Sequence, residues 1–386
     1  MLCLVVACCS CASMQASLPS RFEPRLVPVS DAECRTVVRD GAPPSALQQA
    51  VTQSIEYLQR LPQQRSFAAL DRRVTVSELL DVANGLGAIL SGGDDLAHDV
   101  CERFRLYRAE LPDRLLITGY YQPELAASRV PTERFHYPLY RTPDDLVDLD
   151  LDALAPGCRT GVVQGRVQDG KVVPYYSRAE IDAGTLAGRD YEIAWLDDPV
   201  EAFFLHVQGS ARLRFPDGVY MDISYSRSNG RPYTSIGRVL IEQGKMASET
   251  VSLAALKDYL HSHPEEQRAL LATNQRYIFF RVVATGPIGR LEVPLTAGRS
   301  IAADARAYPP AAVVFLRVAT PATPTPSVTP ETFSRFAVIQ DAGAAITGAN
   351  RIDVFWGSGS TAESIAGDMR SSGELYLVLP RGPTLQ

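Results

Sequence analysis

Two aspartates near the C-terminus are the residues whose type and spacing best suit chemistry. The segment AVIQDAGAAITGANRIDVFWGSGS carries Asp341 and Asp353, twelve residues apart. Each follows a strand-like apolar run, and Asp353 stands beside Phe355 and Trp356. A carboxylic acid at the end of an apolar strand is partly desolvated. Desolvation disfavours the charged form and suits a proton donor in glycosidic cleavage. The same residues also allow a structural role, with Asp341 opening an Asx-turn and Asp353 pairing with Arg351 or capping a turn.

Other chemistries find little support. GSGS at Gly357 to Ser360 lacks the final glycine of a nucleophile elbow. NGLGAILSGG has neither the spacing nor the context of a dinucleotide fingerprint. The histidines His98, His136, His206, His261 and His263 are dispersed, and no cysteine pair has metal-ligand spacing. No metal or organic cofactor is expected. Net charge is −6 with Lys and Arg scattered among acids, which excludes a nucleic-acid face and favours an uncharged or mixed-charge substrate.

Groups suited to sugars gather elsewhere. TGYYQP holds Thr118, Tyr120, Tyr121 and Gln122; HVQGSARL holds Gln208 and Ser210; YSRSNGRPYTSIG holds Tyr225, Asn229 and Tyr233. Aromatic faces stack on sugar C–H surfaces, while amides and hydroxyls bond sugar OH groups. Singly, each tyrosine is equally at home in a core or a turn.

These residues must be positioned by elements. Residues 44 to 110 read as helical, with Leu47, Val51, Ile55 and Leu58 on one stripe and a capping box at Thr75 and Glu78. Most of the remainder reads as short strands closed by Gly or Pro, including RLLITGYYQP, AFFLHVQGSARLRFPDG, FAVIQDAG, RIDVFWG and GELYLVLP. FPDG between two alternating strands signals a hairpin. A helical stretch interrupts from RPYTSIG to HSHPEEQ, and the Pro/Thr-rich Thr320 to Pro330 reads as a loop. A 46% hydrophobic share supports one large or two ordinary cores, and 124–272 is long enough to be an inserted β-rich domain.

Four of the seven cysteines fall in the first eleven residues. The apolar run Leu2 to Ala7 ends at Cys8 in a pattern resembling a bacterial lipoprotein box, and it is too short to span a bilayer. Lipidation at Cys8 would anchor the chain to a membrane without crossing it. Cys34, Cys101 and Cys158 leave room for one disulfide.

The chain resembles the membrane-bound lytic murein transglycosylase A family. The resemblance rests on six ordered segments across roughly residues 110 to 382: TGYYQPELAASRVPTERFHYPLYRTPDDL, FFLHVQGSARLRFPDG, SNGRPYTSIGRVLIEQG, PLTAGRSIAADARAYPPAAVVFL, QDAGAAITGANRIDVFWGSGSTAESIAG and GELYLVLP. It implies a mainly β fold with a helical front: a double-psi β-barrel catalytic domain (21–123 plus 273–386), an inserted β-rich domain (124–272) and a groove between them, after a signal-like 1–20. It implies Asp353 as general acid and base, Asp341 in support, and Thr118, Tyr120, Tyr121, Gln208, Ser210, Asn229 and Tyr233 as substrate contacts. Peptidoglycan glycan strands become the expected partner, with envelope synthase complexes as further partners. Periplasmic anchoring to the outer membrane is expected. The implied reaction cleaves the β-1,4 bond between N-acetylmuramic acid and N-acetylglucosamine and leaves 1,6-anhydro ends. An inverting hydrolase on the same barrel and a non-catalytic peptidoglycan-binding lipoprotein are the contrasting expectations. Gln122, Ala211, Ala297, Ala342 and Ala344 depart from the usual family residues without touching the acid.

Overall fold

The computed structural model describes residues 23–92, 95–154, 162–319, 333–343 and 345–381. Cys8, Cys158, Ala344 and the Thr320 to Pro330 segment lie outside them. Two β-sheets organise the described residues.

The first is an eight-stranded sheet. In spatial order its strands are Arg25–Pro28, Phe104–Glu110, Arg370–Pro380, Val313–Ala319, Ser334–Asp341, Ser300–Ala303, Arg351–Ser358 and Leu115–Gln122. Leu115–Gln122 also pairs back onto Arg370–Pro380, so six of these strands close on themselves. Inward residues fill the closed end: Ile117, Ile301, Val314, Ala337, Ile352, Val354 and Leu377 are all buried.

The helical front seals the other face. Pro44–Gln59 buries Leu47, Val51 and Leu58, with Ile55 packed alongside, as the stripe predicts. Thr75 and Glu78 form the expected reciprocal cap: Glu78 N–H donates to Thr75 Oγ1 at 3.2 Å, and Thr75 N–H donates to Glu78 Oε2 at 2.8 Å. The helical expectation fails at two places. Ser66–Ala69 and Arg72–Thr75 form a hairpin, and Phe104–Glu110 is a strand. Phe104 and Leu106 are buried at alternate positions, and pairing with Arg370–Pro380 overrides the helical pattern of the preceding turn. Cys34 and Cys101 are joined in a disulfide that ties the helix Asp31–Val37 to the helix Leu96–Arg103.

The second body is a six-stranded sheet in the order Ile278–Val283, Tyr220–Ser228, Ser210–Arg214, Glu124–Ser128, Glu192–Leu196 and Tyr137–Tyr140. A separate three-stranded sheet, Lys171–Pro174, Val162–Gln168 and Val147–Asp150, accompanies it. Ile278–Val283 lies beyond the boundary at 272 expected from sequence, yet hydrogen-bonds within this sheet. The FPDG hairpin forms, with Arg214 opposite Tyr220 and Gly218 at φ +79°.

AFFLHVQ, expected as strand, is helical: Pro199–Gln208. Asp198 caps it, accepting from Val200 N–H at 2.7 Å, Pro199 occupies its first turn, and Gly209 closes it in the left-handed region at φ +88°. Six of the seven residues from Val200 to His206 are buried, all but Glu201, so the helix carries no continuous polar stripe and imitates a buried strand.

One buried pair ties the helical front to the barrel. Arg299 and Asp40 have side chains only 1% and 2% exposed, and Arg299 donates to both Asp40 oxygens at 2.5 and 3.1 Å. Arg299 also donates to the carbonyls of Phe336, Ala42 and Pro43. Asp40→Ala would strand this guanidinium, and we expect about 3–5 kcal/mol of lost stability in denaturant unfolding.

Candidate active site

Strand pairing brings the two acids to one end of the barrel. Arg351–Ser358 runs parallel to Leu115–Gln122, with Asp353 opposite Thr118 and Phe355 opposite Tyr120. Ser300–Ala303 lies between the two acid-bearing strands, and Ala302 is the register partner of both Asp353 and Asp341. Two strand spacings therefore separate the acids, about 10 Å between backbones. The small Ala302 side chain leaves the space between them open, and it lines the same chamber as Asp353.

Asp353 is held by polar donors. Thr118 Oγ1 donates to Oδ1 in a short hydrogen bond. Arg351 donates through Nε to Oδ1 at 3.1 Å and through Nη2 to Oδ2 at 3.2 Å. The Arg351 pairing that the bland reading of the sequence allows is thus present, and it lies within the groove. Strand periodicity explains it, because residues 351 and 353 share a face. The aromatic setting expected for Asp353 is absent: Phe355 is buried, and Trp356 packs against Phe333 with its indole N–H toward Met369 Sδ at 3.1 Å.

Asp341 is locked more tightly. Its Oδ1 accepts from the backbone N–H groups of Arg290 and Ala342 at 3.0 and 2.9 Å, and its Oδ2 accepts from Tyr120 OH at 2.9 Å. Burial pushes its carboxyl above the usual range against the pull of these donors. Burial and the Asp341 carboxylate together push the Tyr120 phenol well above its ordinary value, so Tyr120 stays a donor. The preceding Gln340 points the other way. It bonds Ala50 O and Ser54 Oγ, both at 2.9 Å, and anchors the strand to the front helix.

The acids open onto a groove with two connected chambers. One, about 350 Å³, is lined by Arg351, Asp353, Tyr233 and Ala302; the other, about 500 Å³, by Ser210, Tyr225, Arg281 and Ile288. Tyr120, Gln208, Arg276 and Asp341 line both. Gln208 and Ser210 flank the Gly209 turn that ends the Pro199–Gln208 helix. His206 also lines the groove; its Nδ1 accepts from Arg178 Nη1 at 3.0 Å, and burial with the adjacent Arg178 charge keeps the ring neutral.

Three expected contacts line neither chamber: Thr118, whose hydroxyl is spent on Asp353, and Tyr121 and Asn229, which lie elsewhere. Tyr121 is buried on the opposite face of its strand from Thr118 and Tyr120, donating to Glu363 at 2.7 Å. Asn229 is fully buried, and its amide is consumed by the scaffold. Its Nδ2 donates to Tyr176 O and Gln275 O, and its Oδ1 accepts from Arg231 N–H and Tyr277 N–H. Neither residue lines the groove. Arg276, Arg290 and His206 do line it and were not singled out from sequence; nothing in their local pattern distinguishes them from surface or core residues.

The comparisons with known proteins identify the family and the fold. The MltA specific insert domain matches residues 116–281 and the 3D domain matches residues 299–379, so the chain is a 3D-domain protein carrying that insert. The crystal structure of a membrane-bound lytic murein transglycosylase from Agrobacterium tumefaciens is 31% identical, with a TM-score of 0.80 over 92% of this chain and 98% of that one. E. coli MltA with bound chitohexaose is 25% identical, with a TM-score of 0.68 over 92% of this chain and 95% of that one. The chain belongs to the membrane-bound lytic murein transglycosylase A family. Membrane-bound lytic murein transglycosylase A of E. coli K12 is 31% identical over 265 residues, which is 68% of this chain and 64% of that protein, just under two thirds of its length.

The raised Asp341 carboxyl gives a signed stability prediction. A group whose folded-state pKa is raised contributes stability below its unfolded value, about 3.9, and loses it as pH rises through the folded value. Asn at 341 does not titrate and can still accept both backbone N–H groups. Asp341→Asn should therefore gain stability relative to the parent protein as pH rises from about 4 to 7. Denaturant unfolding across that range checks it, and a constant difference would contradict the assigned burial.

Proposed function

We propose that the protein is a lytic transglycosylase that cleaves the β-1,4 bond between N-acetylmuramic acid and N-acetylglucosamine in peptidoglycan, leaving 1,6-anhydro-N-acetylmuramic acid ends. The observation that carries this is the contrast between the two acids. Both Asp341 oxygens are engaged, one by two backbone donors and one by Tyr120. Both Asp353 oxygens are engaged too, but by side chains alone, Thr118 and Arg351 in the groove wall, with no backbone N–H fixing them. One working carboxylate suits a reaction whose nucleophile belongs to the substrate.

Asp353, in its protonated form, donates to the glycosidic oxygen as the bond to N-acetylglucosamine breaks. The Asp353 carboxylate so formed meets Thr118 and Arg351 already aligned on its oxygens. These preorganised donors stabilise charge that develops during the step. The carboxylate then accepts the proton of the C6 hydroxyl of the same muramyl residue as that oxygen closes onto C1. The intramolecular attack gains a high effective molarity and needs no activated water. Asp341 holds Tyr120 and the Arg290 backbone at the groove wall. Gln208, Ser210 and Tyr233 are the side chains offered to sugar hydroxyls and rings. Chitohexaose bound to the E. coli relative supports a β-1,4 glycan in this groove.

An inverting hydrolase would need Asp341 to activate a water, and its fixation by two backbone N–H groups, which cannot swing away as side chains can, argues against that. We assign the closed strand ring to the double-psi barrel the family resemblance implies, with the insert extended to about residue 283. We also place the protein in the periplasm, anchored to the outer membrane through Cys8. The Cys34–Cys101 disulfide fits an oxidising compartment, and none of the described helices is long and apolar enough to cross a membrane.

Asp353→Asn keeps the shape of the side chain and removes the transferable proton. It should fold with unchanged circular dichroism and release 1,6-anhydro muropeptides from purified sacculi at least about 1000-fold more slowly, the scale expected when an essential general acid is lost. Near-parental release would overturn the assignment. Asp341→Asn should be impaired less.

A further inference from the structure

The larger groove chamber carries cationic charge that the glycan reaction does not use. Three arginines, Arg276, Arg281 and Arg290, line it, in a protein of net charge −6. Arg281 is paired with Glu292. Among the described residues, the guanidiniums of Arg276 and Arg290 make no hydrogen bond and no ion pair. The acids facing the chamber are already committed, Glu292 to Arg281 and Asp341 to its three donors. Two guanidiniums therefore line the chamber without a bonded partner, the Arg290 charge acting only at a distance on Asp341.

The sugar backbone of peptidoglycan is uncharged. Its negative charge hangs on the lactyl ether of the muramyl residue. That group is a single free carboxylate in stripped strands, or an amide leading to a stem peptide with carboxylates of its own. Arginine forks match carboxylates in bidentate fashion, and they gain most where water is partly excluded. Arg276 stands just before a strand of the second sheet, and Arg290 stands on the barrel side beside Asp341. Two open forks from two bodies suit several carboxylates spread along a peptide better than one at the sugar. Tyr225, 43% exposed, and Ile288 add apolar surface for the peptide stem.

We propose that this chamber binds the acidic stem peptide, with Arg276 and Arg290 as specificity-determining residues that favour peptide-bearing over stripped strands. The proposal rests on the lytic-transglycosylase function. Neither side chain holds the fold together, so Arg276→Gln/Arg290→Gln should fold normally.

The test compares the parent protein and this double variant on peptide-bearing strands and on amidase-stripped strands with a free lactyl carboxylate. The ratio of kcat/KM for the two strands should favour peptide in the parent protein. It should fall roughly tenfold in the double variant, mainly through KM, the scale of one good charged contact. An unchanged ratio would overturn the proposal. So would a larger loss on stripped strands, which would assign the forks to the lactyl carboxylate. Calorimetry with a soluble muramyl peptide gives a readout without turnover. Amidating its peptide carboxylates should weaken binding to the parent protein roughly tenfold, and equal binding of both forms would overturn the proposal. Failure of the activity itself would appear separately, as absence of 1,6-anhydro ends from either strand.

Discussion

The parallel pairing of Leu115–Gln122 with Arg351–Ser358 is the constraint on which the site depends. Its register sets Thr118 opposite Asp353 and Tyr120 opposite Phe355. Thr118 then reaches Asp353, and Tyr120 reaches Asp341 three strands away in the order of the sheet. A slip of one residue would turn both donors to the opposite face and leave each acid without a side-chain partner from that strand. The other edge of Leu115–Gln122 is fixed as well, because residues 115 to 118 pair with Arg370 to Gly373. The chain leaves this strand directly into Glu124–Ser128 of the second sheet. One strand therefore orients Asp353, the proposed catalytic acid, and leads into the second sheet.

Much of this was legible in the sequence. The apolar runs ending at Asp341 and Asp353 became barrel strands on either side of Ser300–Ala303, and the front helix buried the stripe that its spacing predicted. Pairing of Asp353 with Arg351 was one of two structural roles the sequence allowed, the other being a turn cap, and its place in the groove followed only from the fold. Strand alternation would also have separated Tyr121 from Tyr120, since adjacent residues face opposite ways. The motif-level assignment of the whole TGYYQ segment to the groove ignored that alternation.

The rest was hidden for physical reasons. Pro199–Gln208 is buried around most of its circumference, so hydrophobic periodicity could not distinguish it from a strand; only Asp198, Pro199 and Gly209 marked its ends. Phe104–Glu110 continues a helix-like sequence and is made a strand by its neighbour Arg370–Pro380. Asn229 looked like a sugar-binding amide because sequence carries the side chain but not the four backbone groups that occupy it. The open forks of Arg276 and Arg290 are a property of what is absent around them, which no local pattern encodes.

The chemistry follows from an asymmetry between two acids that look alike in sequence. Each acid accepts three hydrogen bonds, but Asp341 is fixed by two backbone N–H groups, whereas Asp353 is held by side chains alone and lines the chamber proposed to take the glycan. A single acid suffices only if the attacking oxygen comes from the substrate. The most direct measurement is therefore digestion of purified sacculi in H₂¹⁸O, with mass spectrometry of the muramyl ends. The account predicts 1,6-anhydro ends that carry no ¹⁸O at C1. Reducing muramyl ends labelled with ¹⁸O would mean that water is the nucleophile and would contradict it.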